Sequence, residues 1–61
     1  MKKTYAMQKL LEHGPLTLAE AREITLWGGK TTAHVLEYLK KKGVLVCKHY
    51  QQERKHRYSL A

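Results

Sequence analysis

Two groups of side chains have the types and spacing to do chemistry. Lys48, Arg54, Lys55 and Arg57 crowd positions 48 to 57, and such cations grip anionic oxygens, the planar arginine fork most tightly. Lys30, Thr31, Ala33, His34 and Glu37, with Lys41 beyond them, mostly recur at steps of three and four, the spacing that gathers side chains on one side of a helix. They are small, hydrogen-bonding or charged, so that flank is suited to approach a polar surface closely. Catalysis finds no support. The chain has no Asp, its only serine is Ser59, and it has neither a carboxylate pair near a histidine nor a phosphate-binding glycine loop, so no enzyme is expected. Cys47, His49 and His56 lack a fourth ligand and any CxxC or HxxxH spacing, so neither metal nor cofactor is expected.

Charge sharpens this reading. Twelve Lys and Arg against five Glu in 61 residues leave a net charge of +7, with a pI near 9.8. Residues 1–37 carry a net +1 and residues 38–61 a net +6. A basic domain with its charge in one region has the electrostatic footprint of a nucleic-acid binder. The length suits one domain over residues 1–61, and its composition is that of a globular chain. The longest apolar run, at residues 44–47, cannot span a membrane. Met1, Lys2 and Lys3 look like the start of a signal peptide, but Gln8, Lys9 and Glu12 fall where its apolar stretch belongs, so that reading fails. With one cysteine and no internal disulfide, a cytoplasmic location is expected.

The elements that must position these groups follow from periodicity and punctuation. Residues 3–13 read as a helix with Met7, Leu10 and Leu11 on one face, capped by Gly14 and stopped by Pro15. Thr17 and Glu20 form a capping box for a short second helix ending near Thr25, with Leu18, Ala21 and Ile24 as its buried side and a Leu16–Ala21 staple. Residues 26–29 make a tight turn, in which Trp27 plugs the junction. The third helix, residues 30–42, buries Thr32, Val35, Leu36 and Leu39 and turns Lys30, Ala33, His34, Glu37 and Lys41 outward. Its basic last turn suits the helix dipole, and Gly43 ends it. Residues 44–60 read as a β-hairpin with a loop at 51–54. Its expected register sets Cys47 opposite Tyr58 and His49 opposite His56, with Leu45, Cys47, Tyr58 and Leu60 facing inward.

A short helix joined through a glycine turn to a longer one is a helix-turn-helix unit, and a major groove admits one helix. Here the chain resembles a family. Residues 16–60, with Leu16-Thr17-Leu18 opening helix two, residues 31–39 in helix three, Lys42-Gly43-Val44-Leu45 after it and Arg57-Tyr58-Ser59-Leu60 closing the hairpin, look like a winged helix-turn-helix domain. The chain is similar to MarR- and ArsR-type repressor cores and, in size, to PapI-like regulators. The resemblance implies an α+β fold, three helices with a C-terminal β-hairpin wing, and a small bacterial or phage transcription regulator. Lys30, Thr31, Ala33, His34 and Glu37 match its recognition positions. Two departures stand out: the wing loop lacks the usual Gly, and no helix follows Leu60.

Double-stranded DNA is therefore the expected partner, with bases read by helix 30–42 and the backbone gripped by Lys41, Lys48, Arg54, Lys55 and Arg57. Six neutralised phosphates would give a log K against log salt slope of roughly −5. The alternative is an interaction module that binds a larger regulatory protein through helix three or the wing. Any homodimer must use helix one or the wing. Tyr5 and Tyr38 fall outside the core stripes, which leaves room for a protein interface. His49 and His56, facing one another, would repel once protonated below about pH 6.5, weakening the wing.

Overall fold

The computed structural model describes residues 2–52 and 54–61. Five elements follow in order: α1 (Lys3–Leu11), α2 (Leu18–Thr25), α3 (Gly29–Lys41), β1 (Leu45–Tyr50) and β2 (Lys55–Leu60). The architecture is thus the expected α+β arrangement of three helices and a C-terminal antiparallel hairpin, consistent with a generic winged-helix-like fold.

Each boundary has a local cause. Helix α1 stops at Leu11 rather than His13, because its end tightens: the amides of His13 and Gly14 bond the carbonyls three residues back, Leu10 and Leu11. Gly14 then takes a φ of 135° and leads into Pro15, which bars helical backbone at the preceding residue. The capping box at α2 is complete. Thr17 Oγ1 accepts from the Glu20 amide at 3.1 Å, and Glu20 Oε1 accepts from the Thr17 amide at 2.9 Å. Leu26 ends α2 with a left-handed φ of 60°. Helix α3 begins one residue earlier than expected, at Gly29, behind Gly28, whose φ of 87° favours glycine.

The core is Met7, Leu11, Ala21, Val35, Leu36, Leu39 and Leu45, with Leu10, Leu16, Trp27, Val44, Tyr58 and Leu60 packed against it. Removing a large aliphatic side chain from water contributes about 1.5–3 kcal/mol. The four residues expected inside α3 are all buried. Thr32, fully buried, donates its hydroxyl to the Gly28 carbonyl at 2.8 Å, so a polar group enters the core with its hydrogen bond made.

On α2 the expectation needs correction. Ala21 is its one buried residue among those described; Leu18 and Ile24 are 37% and 56% exposed. Ala21 packs into the core, whereas Leu18 lines a cleft with Arg54, Lys55 and His56 at the hairpin tip and Ile24 lies at the C-terminal end of the helix.

The hairpin register is as expected, Cys47 opposite Tyr58 and His49 opposite His56. One pairing has no signature in the spacing: Leu16 bridges Tyr58, each amide bonding the other's carbonyl, at 3.0 and 2.7 Å. This bridge lays the start of α2 along the outer edge of β2.

Candidate nucleic-acid interface

Helix α3 sets out the first part of the site. Lys30, His34, Glu37 and Lys41 are exposed, Thr31 and Ala33 half-buried. At 100° per residue the four exposed ones lie within about 60° of each other, whereas Thr31 stands about 90° round from their middle. His34, Glu37, Tyr38 and Lys41 line a shallow recess of about 130 Å³. No acidic residue occupies the first turn, and Lys40 and Lys41 end the helix. The flank is therefore polar, with cations at Lys30 and Lys41 and a carboxylate at Glu37 between them.

Neighbours border this flank on both sides. A groove of about 560 Å³ separates His34, Val35 and Tyr38 from Lys2, Lys3 and Thr4 at the start of α1. On the other side the Tyr58 hydroxyl donates to Glu37 Oε1 at 3.1 Å. Burial, then the Glu37 hydrogen bond and charge, push the Tyr58 phenol up to about 12. The hairpin base is thus fastened to the outward flank of α3.

The hairpin has two faces, because alternate residues point to opposite sides. Cross-strand partners share a face, so Leu45 and Leu60, Cys47 and Tyr58, and His49 and His56 lie together. This is the face that carries Tyr58 towards Glu37. At its outer end the two exposed imidazoles stack, with centroids 4.6 Å apart and planes 22° from parallel. Lys48, Arg57, Tyr50 and Lys55 occupy the opposite face.

The cations expected on the hairpin do not share one environment. Lys48, Arg54 and Lys55 are exposed. Arg54 holds a left-handed φ of 53° at the loop, the conformation for which glycine is usual, and its amide bonds the Gln51 carbonyl. An L-residue there costs about 1–2 kcal/mol, and it keeps a cation at the tip. Arg57 is half-buried and committed within the fold. Its guanidinium donates to Glu20 Oε1 at 2.7 Å and lies over the Tyr50 ring. The Thr17 amide, and then the charge of Arg57, hold the Glu20 carboxyl below the usual carboxylate range. No local spacing encodes this bond, because it joins residues 37 positions apart that the Leu16–Tyr58 bridge brings together.

Trp27 is half-buried against the core with the Lys3 ammonium 5.7 Å from its ring. Tyr5 and Tyr38 are exposed, each with a lysine over its ring, Lys9 and Lys42 respectively. Among the described residues no group of three or more His, Cys, Asp or Glu could hold a metal ion, and no helix is long and apolar enough to cross a membrane. The chain matches no family model, no curated protein and no solved structure.

Proposed function

We propose that this chain binds double-stranded DNA sequence-specifically and acts as a small transcription regulator of bacterial or phage type, kin to the MarR, ArsR and PapI-like proteins it resembles. Helix α3 enters the major groove, where Lys30, His34 and Glu37 meet base edges and the small Ala33 allows close approach. Lys41 and the hairpin cations Lys48, Arg54 and Lys55 take the backbone or the adjacent minor groove. The observation that carries this reading is the Tyr58–Glu37 hydrogen bond. It holds the hairpin against the polar flank of α3, with Lys48 and Lys55 on the hairpin's opposite face and Arg54 at its tip. The chemistry needed is recognition alone, with neither catalysis nor cofactor.

Electrophoretic mobility shift on duplexes of mixed sequence at low salt tests the reading, followed by selection of bound sites from a random library. Retardation at micromolar protein and enrichment of a defined motif are expected. A palindromic motif would identify a homodimer. No retardation favours the second reading, a module docking on a larger protein, for which the exposed Ile24 and Leu26 (84% exposed) supply apolar contact.

A further inference from the structure

We propose that His49 and His56 form a proton-gated site for a DNA phosphate on the wing, an inference that rests on the DNA-binding role above. The two rings are directly paired across the hairpin, exposed, and stacked at 4.6 Å. They stand on the face whose Tyr58 reaches α3, while Lys48 and Lys55 point from the other. Arg54 and Lys55 border the pair on the His56 side.

The groups around the pair are neutral or cationic among the described residues. Cys47 and Tyr58 are the next residues on the same face, with the Tyr58 hydroxyl held by Glu37 of α3. Across a cleft of about 400 Å³ from His56, α2 contributes Thr17, Leu18 and Ala19, and the hairpin contributes Arg54 and Lys55. The Glu20 carboxylate is occupied by Arg57 and Thr17. Among the described residues the ion pairs are Lys9–Glu12 and Arg57–Glu20, and neither includes His49 or His56; Glu53 lies outside the described residues. A proton on one ring therefore opposes a proton on the other, and nearby cations oppose both.

A phosphodiester seated across the pair reverses that balance. Its two non-bridging oxygens can each accept from one imidazolium, the protons coming from solvent. DNA binding then draws protons onto the wing and, by linkage, protonation strengthens DNA binding. Affinity should climb on acidification.

The test compares the intact chain with H49Q/H56Q, which leaves His13 and His34 in place, in binding a rhodamine-labelled mixed-sequence duplex. Between about pH 8 and about pH 5.5 the unaltered chain should gain about tenfold more affinity than the double variant, and its salt slope should steepen by about one. At the higher pH the two should bind alike. Equal pH dependence in both overturns the proposal, as does a deficit of the variant already at the higher pH, which would make the contact independent of protonation. No binding by either protein at any pH removes the DNA-binding role itself. Should the double variant unfold, as read by circular dichroism, His49→Gln alone decides: it must lose most of the acid-induced gain, and retention of the full gain overturns the proposal.

Discussion

The guanidinium of Arg57 and the amide of Thr17 converge on one oxygen, Glu20 Oε1, at 2.7 and 2.9 Å. A single carboxylate thus caps helix α2 and ties it to β2. Glu20→Gln should lower the thermal midpoint near neutral pH. Because the folded-state carboxyl lies below its usual range, its contribution is present above the unfolded value of about 4.3 and is lost as pH falls through the lower folded value. The gap in Tm between the unaltered chain and Glu20→Gln should therefore close on acidification. A gap independent of pH would show that the carboxylate is not the source. Thr17→Ala, which removes the reciprocal cap, should cost about 1 kcal/mol, read as a drop of about 4–8 °C in Tm for a domain of this size.

Leu26 adopts a left-handed φ of 60° while 84% exposed, so its backbone is strained and its side chain packs little. Leu26→Gly should relieve about 1–2 kcal/mol of conformational strain against about 0.5–1 kcal/mol of added chain entropy. A net gain in stability by denaturant melting is expected. A loss would mean that the leucine side chain contributes contacts to the fold.

Tyr58 should ionise near pH 12 because of burial and the adjacent Glu37. A phenol held protonated in the fold stabilises it below the unfolded value of about 10, and that contribution is lost as pH rises from there towards the folded value. Tyr58→Phe should remove the phenolate absorbance that develops near pH 12. An unchanged titration would refute the buried, Glu37-bonded hydroxyl.

For the proposed DNA complex, His34→Ala should relax base preference at one or two positions of the selected motif. Arg54→Ala should weaken all sequences about equally and flatten the salt slope by near one. Arg57→Ala, by contrast, should act first on stability, since its guanidinium is already bonded to Glu20. The reverse pattern for His34 and Arg54 would mean that helix and hairpin have exchanged roles.

Local chemistry made most elements legible from the chain alone. The Thr17–Glu20 capping box, the Gly28 and Gly43 boundaries, the buried stripe from Thr32 to Leu39 and the Cys47–Tyr58 register each follow from contacts within a few residues or from simple alternation. The concentration of positive charge after residue 37 is likewise a property of the sequence. Three relationships were decided only in the folded molecule: the Leu16–Tyr58 bridge, the Arg57–Glu20 ion pair and the Tyr58–Glu37 bond. Each joins residues more than twenty apart in the chain, which no periodicity encodes. The same applies to Leu18 and Ile24, whose helical spacing matches a buried face but which lie exposed in the fold. Burial on a short helix depends on where the next element ends, and only the packing of the whole chain determines that.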